Sequence, residues 1–296
     1  MNAEGTGQQT GDSGLGPVVE FTTRVLVPAG VLSAVLYYFG YVREQALFAY
    51  FGVDLGTVGF STRDYLVRSA GTVFLPLATV IVAGVAAVIA HQVLVVLLSR
   101  SSPRWRRGAW VVLGPLALIL LGFGVLGLQG RAHPLINPLA SPVALAAGAV
   151  LLEYSVELAR TYEALPAQVS EALSSTRTVR RSLLAALVLV AAFWGTATLA
   201  QQRGIDAAQA IEISLPTRPQ AIVYSREHLQ VSGPGVMLAQ LESRGASFAF
   251  RYNGLRTLVH AGGHWFLLPA GWTHQNGATV IVLPDSTDDI RVDLAP

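Results

Sequence analysis

The chain of 296 residues contains no cysteine, which excludes disulfides, thiolate catalysis and cysteine-ligated metal. Lysine is absent too. All 20 basic residues are arginine, so no amine is available for Schiff-base chemistry. Charged residues make up 13% of the chain, against roughly 25% in soluble domains. A net charge of +2 provides no basic surface for nucleic acid. The sequence also lacks H-E-x-x-H, G-x-S-x-G, a P-loop and a helix-opening G-x-G-x-x-G, the usual marks of metalloproteases, hydrolases and nucleotide-binding enzymes. The expectation is therefore a protein that is not an enzyme and takes no cofactor.

Apolar residues are abundant, at 52%, and they come in long runs. The chain reads as a membrane α-helical unit of five transmembrane helices followed by a small all-β domain. Residues 1–17 hold five glycines and few apolar side chains, the composition of a disordered tail. The five-helix unit occupies 18–202, with spans at about 25–42, 72–98, 110–128, 139–152 and 183–200. Each run approaches or exceeds the length needed to cross roughly 30 Å of hydrocarbon. Tyr37, Tyr38, Phe39 and Tyr41 close the first span with aromatics suited to the headgroup level. Arg43–Phe51 then reads as a short interfacial helix.

Arginine sets the orientation. Arg100, Arg104, Arg106 and Arg107 fill the loop after the second span without an acid, and Arg177, Arg180 and Arg181 precede the fifth. By the positive-inside rule both loops are cytoplasmic. The expectation is a multi-pass protein of the cell (plasma) membrane with a cytoplasmic amino terminus and residues 203–296 outside. None of the five apolar cores holds a charge, and five spans give no inverted repeat, so an ion pump is not indicated. Gly30-x-x-x-Ala34, Ala83-x-x-x-Ala87 and Ala144-x-x-x-Gly148 are spacings that let helices approach closely.

Between the first two spans, Gly52, Gly56 and Gly59 break the backbone, and Ser61 stands three residues before Asp64, the capping-box spacing. Asp54, Arg63, Asp64 and Arg68 in this connector are candidate ligand or partner contacts. Capping of the next helix and an Asp64–Arg68 pair one turn apart also account for these charges. Near the other end, His260 and His264 flank Gly262-Gly263. Imidazoles across a tight turn can share a metal, but a zinc site needs three or four ligands, so they read first as strand-end histidines and otherwise as contact residues. Asp285, Asp288 and Asp289 read as turn chemistry. Glu153, Glu157 and Arg160 read as a solvated helix end.

Residues 203–296 change period. Ala210–Leu215, Ala221–Ser225, Phe248–Tyr252, Leu255–His260, Trp265–Leu268, Thr279–Leu283 and Ile290–Leu294 are short runs rich in β-branched and aromatic residues. They predict about seven strands in a β-sandwich or open barrel. Asn253-Gly254 predicts the sharpest hairpin.

F-G-V-D…S-T-R-D-Y-L-V-R-S in the first connector, F-R-Y-N-G-L-R-T-L-V, and G-H-W-F-L-L-P-A-G-W…V-I-V-L-P-D near the end resemble a group of uncharacterised actinobacterial multi-pass membrane proteins. The resemblance runs from about Phe39 onward. It implies a membrane domain followed by a small β domain, and it brings no activity or catalytic residue.

Three functions fit these features. In the first, the exported β domain of a non-catalytic membrane protein binds a protein partner or envelope ligand. In the second, the chain is a transport or channel-accessory subunit working as a homo-oligomer. In the third, it is an envelope enzyme acting at the outer face. The corresponding partners are the lipid bilayer, another membrane or envelope protein, and further copies of the chain.

Overall fold

A computed structural model of the chain describes residues 27–68, 103–130, 137–161, 167–241, 247–285 and 288–296, with single positions between 78 and 96. The expected tail at 1–17, most of the second span, and Ala83 and Ala87 lie outside the described residues.

Among the described residues the helices include α1 (Val27–Tyr50), α2 (Leu55–Val58), α3 (62–68), α4 (Pro103–Leu128), α5 (Ala140–Thr161), α6 (Ala167–Ser175) and α7 (Arg177–Ser214). Three are long and apolar enough to cross a membrane, through Val111–Leu128, Ala140–Arg160 and Arg177–Thr217. The first expected span falls in α1, which is not one of the three. There, Arg43–Tyr50 does not form a separate interfacial helix but continues α1 without a break.

α4 and α5 are antiparallel. A side chain at Gly124 would meet Leu145, and one at Gly127 would meet Ser141. The expected small-residue face at Ala144 and Gly148 is a real contact, because a Cβ on Gly148 would lie 2.8 Å from the Leu121 nitrogen. Gly30, by contrast, has nothing within 4 Å among the described residues. α5 is also antiparallel to α7: Pro142 lies beside Gly195 at one end and Glu153 bonds Arg180 toward the other.

α7 runs beside α1 in the same direction. Phe39 and Phe193 rings lie 5.1 Å apart, Arg43 and Ala46 meet Gly204, and Tyr50 meets Glu212. The crossing uses Ala200, Gly204 and Ala208, all buried. At 38 residues and about 1.5 Å per residue, α7 is far longer than a bilayer's hydrocarbon of roughly 30 Å. Its second half, polar from Gln201 onward, extends past the apolar segment.

That extension corrects the strand expected at Ala210–Leu215, which is the end of α7 and the first residue of the 3-10 turn Leu215–Thr217. Ile211, Ile213 and Leu215 alternate as a strand would. However, Ala208, Ile211 and Leu215 also share a helical stripe, and that stripe packs into the core. Lengthening an existing helix avoids the cost of starting a new element.

Six strands follow: β1 (Gln220–Ser225), β2 (Met237–Gln240), β3 (Phe250–Ala261), β4 (His264–Pro269), β5 (Ile281–Pro284) and β6 (Ile290–Ala295). They form one open antiparallel sheet ordered β5-β4-β3-β1-β6, with β2 also on β3. The described strands therefore make one sheet rather than a sandwich, and that sheet is not closed. The reason lies in β3. Its two expected strands are one, and Asn253-Gly254 is not a hairpin turn. Ala221 pairs with Leu255 and Val223 with Tyr252, so Asn253 and Gly254 together face one residue of β1. This is a bulge with Gly254 at φ +79°, the backbone region glycine alone enters cheaply. The expected turn at Gly262-Gly263 does form, with both residues at positive φ as a two-residue hairpin requires.

Candidate functional site at the junction of helices and sheet

The sheet is not a free appendage. One buried cluster joins Leu47, Phe48 and Phe51 of the first connector to Leu258 and Phe266 of the sheet, to Trp272 in the loop after β4 and to Leu215 after α7. The Phe51 and Trp272 rings lie 4.8 Å apart, and the Trp272 indole donates to the Ala278 carbonyl at 2.7 Å. The β3–β4 hairpin tip rests on the end of α2, where a Cβ on Gly262 would lie 2.7 Å from the Val58 carbonyl oxygen. A second cluster, including Val223, Tyr252, Leu255 and Leu283, forms the rest of the sheet's core. The Tyr252 hydroxyl anchors the β1–β2 loop through Leu229, donating to its carbonyl at 2.8 Å and accepting from its N–H at 2.7 Å.

Polar groups ring this junction. The Tyr50 hydroxyl donates to Glu212 at 2.5 Å. The other Glu212 oxygen accepts from the His274 backbone N–H at 2.9 Å. The His274 ring stacks on Tyr50 at 4.2 Å, and its Nδ1 lies 3.1 Å from the Tyr50 carbonyl oxygen. Glu212, which accepts from its phenol, pushes the Tyr50 hydroxyl up to about 12, since the carboxylate disfavours a neighbouring phenolate.

Nearer the bundle, Glu44 is fully buried, at 0% exposure. It pairs with Arg43 and accepts from Arg68 Nη1 at 3.1 Å. The Arg68 guanidinium also lies over the Phe60 ring, 4.5 Å from its centroid. A buried carboxylate is tolerable only with such partners.

The expected capping box forms. Asp64 Oδ2 accepts from the Ser61 N–H at 2.8 Å and the Ser61 hydroxyl at 2.7 Å, and the Asp64 N–H donates to the Ser61 hydroxyl at 3.3 Å. The Ser61 hydroxyl and then its N–H hold the Asp64 carboxyl below the usual carboxylate range.

The six candidate residues divide among separate tasks. Asp64 caps α3, and Arg68 pairs with Glu44 rather than with Asp64 as expected. A fully buried acid offers a guanidinium a less screened partner than one at an exposed helix end. The charges of Arg68 and then Arg63 also contribute to the low Asp64 value. Asp54 precedes α2 without a side-chain cap, and its carbonyl accepts from the Thr57 hydroxyl at 2.7 Å. His260 and His264 do not converge. His260 Nε2 lies 2.9 Å from Asp285 Oδ2, and the Trp265 indole donates to Asp285 Oδ1 at 3.0 Å. His264 Nδ1 instead lies 2.9 Å from the Gly262 carbonyl oxygen. Among the described residues no three His, Asp or Glu side chains group as metal ligands would.

Sequence reasoning missed Glu44, Tyr50, Glu212 and His274 as a set. Glu44 carried one signal, an acid directly following an apolar span. Tyr50 and Glu212 carried none, being far apart in the chain and joined only by the parallel packing of α1 and α7. No protein-family model matches the chain, and no curated protein or solved structure is detectably similar to it.

Proposed function

We propose that this is a non-catalytic integral membrane protein whose β domain is displayed outside the cell membrane and binds an extended segment of a partner protein. The observation that carries the reading is the position of the sheet. It is locked by a shared core to the end of the bundle where Tyr50 meets Glu212, opposite the end holding Arg177, Arg180 and Arg181. With arginines cytoplasmic, the sheet lies outside.

The same geometry supports five crossings. Arg68 bonds Glu44 at the sheet end, whereas antiparallel packing of α4 on α5 brings Pro103 to the arginine end. From Gly204 down to Arg177 along α7 is about 40 Å at 1.5 Å per residue. The sequence between Arg68 and Pro103 includes the uncharged run Thr72–Ala90, long enough for such a crossing.

The binding element is the edge of the sheet. β6 carries the charges Arg291 and Asp293, and β5 ends in Pro284, devices that discourage strand addition. β2 has neither. All four of its residues are exposed, Met237 at 65% and Leu238 at 47%, and among the described residues only β3 pairs with it. An extended peptide added there would gain main-chain bonds and contacts to two apolar side chains.

The test is crosslinking of the full-length protein in its native membrane, purification in mild detergent and mass spectrometry. A stoichiometric protein crosslinked at β2, and lost in Leu238→Lys, is the expected result. A clean homo-oligomer carrying only lipid or a small molecule would turn the assignment to transport. Orientation is read separately by labelling single cysteines at Thr178 and Ser232 with an impermeant maleimide in intact cells. Ser232→Cys should label and Thr178→Cys should not.

A further inference from the structure

The end of the bundle away from the sheet gathers Arg160, Arg177, Arg180 and Arg181 around Glu153 and Glu157. Glu153 accepts from Arg180 Nε and Arg181 Nε, each at 2.7 Å. Arg180 is committed further, donating to the Leu173 carbonyl of α6 at 3.1 Å. Glu157 is surrounded by three arginines: Arg177 Nη2 at 2.8 Å, Arg160 Nη1 at 3.5 Å and Arg181 Nη2 at 3.8 Å. Arg160 Nε and Nη1 are buried and have no hydrogen-bond partner among the described residues, Nη1 standing 3.5 Å from Glu157 Oε2. Buried donors in that state call for an acceptor.

Charge points the same way. Among the described residues four arginines stand against two glutamates, so the cluster attracts an anion. Arg177 and Arg181 are 44% and 48% exposed, which leaves the anion a way in. The cluster also sits where the apolar windows of α5 and α7 end, at the level of lipid headgroups. α4 begins at this end. A tetrahedral oxyanion suits the site better than a further carboxylate, because its oxygens can accept from several guanidinium groups around it.

We infer that Arg160, Arg177 and Arg181 form a binding site for a phosphate group, supplied by an anionic phospholipid of the adjoining leaflet. Glu157 holds the three arginines together, and Glu153 with Arg180 fixes α5 against α7 beneath them. The site would act as a lipid anchor for the α5–α7 pair. It does not depend on what the β domain binds.

The test uses the full-length protein in detergent, with thermal unfolding followed during titration with phosphatidylglycerol, phosphatidylcholine or inorganic phosphate. Phosphatidylglycerol should raise Tm by several degrees where phosphatidylcholine does not, and Arg177→Gln/Arg181→Gln should lose that difference. Arg291→Gln, on β6, should keep it. An equal shift from inorganic phosphate alone would retain the phosphate site and reassign its source to a free anion. Equal shifts from both lipids, or an unchanged response in the double variant, would overturn the inference. Should the double variant not fold, native mass spectrometry of the unaltered protein decides: preferential retention of phosphatidylglycerol supports the site, and equal retention overturns it.

Discussion

The Tyr50 hydroxyl donates to Glu212, joining the last turn of α1 to the last turn of α7 across 162 positions of sequence. His274 completes the join from the sheet side, through its N–H to Glu212 and its ring on Tyr50. This is where the helices hand a fixed orientation to the β domain, and it can be tested by titration and by substitution.

Tyr50→Phe removes the donor and leaves Glu212 with His274. The expected loss is about 1 kcal/mol, the modest end for a bond to a charged acceptor because the pair is only partly buried. The pH dependence has a definite sign. Folding raises the Tyr50 value from 10.0 to about 12, so the bond's contribution is whole below pH 10 and is lost as pH rises toward 12. Tyrosinate absorbance should show one late-titrating phenol that disappears in Tyr50→Phe.

Glu44 makes a different kind of contact. Replacing it with alanine leaves the partly exposed guanidinium groups of Arg43 and Arg68 without their shared acid, and loss of hydrogen bonds to a charged group costs about 2 kcal/mol. Arg68→Met should cost less, since Arg43 still neutralises the acid and the methionine still covers Phe60. Thermal unfolding of the two single variants and the double variant gives the coupling directly. Additive effects would mean that Glu44 and Arg68 do not act together.

Much of the architecture was legible in the sequence because it depends on local pattern. Apolar runs gave the long helices, Ser61 and Asp64 gave the cap, and Gly262-Gly263 gave its hairpin. The errors arose where a distant partner decides the outcome. Asn253-Gly254 has the composition of a tight turn, and only the pairing of β1 and β2 along β3 makes it a bulge. Ile211 and Ile213 alternate like a strand until Ala208 and Leu215 reveal the helical stripe. The junction of Tyr50, Glu212 and His274 was illegible for the same reason. Three elements bring those residues together, and each residue taken alone is an ordinary polar side chain.

Gly254 offers a direct check on that bulge. A Cβ there would lie 1.8 Å from the Gly235 carbonyl oxygen, on a backbone at φ +79°. Gly254→Ala should therefore destabilise the sheet by well over the 1–2 kcal/mol of a left-handed alanine alone, taking ~1 kcal/mol per residue as the lower figure. Gly52 has a similar φ of +73° but open space around it. Gly52→Ala should incur only the conformational cost. Comparable losses of Tm in the two variants would argue against the close β3 contact.

The acid-sensitive element is the start of α3. Asp64 is held below its ordinary value by Ser61, so its contribution is present above that ordinary value and is lost as pH falls through the lower, folded one. The consequence should be local. Amide exchange at 62–64 should accelerate in acid, well below neutral pH, while α7 stays protected. Ser61→Ala should bring the same acceleration at neutral pH, because it removes the hydroxyl that bonds both the carboxylate and the Asp64 N–H. Asp64→Asn tests the charge alone, keeping an oxygen able to accept from Ser61. If it protects 62–64 as well as aspartate does at every pH, the capping bonds rather than ionisation hold the helix start. If it matches Ser61→Ala, the carboxylate charge is what the first turn of α3 requires.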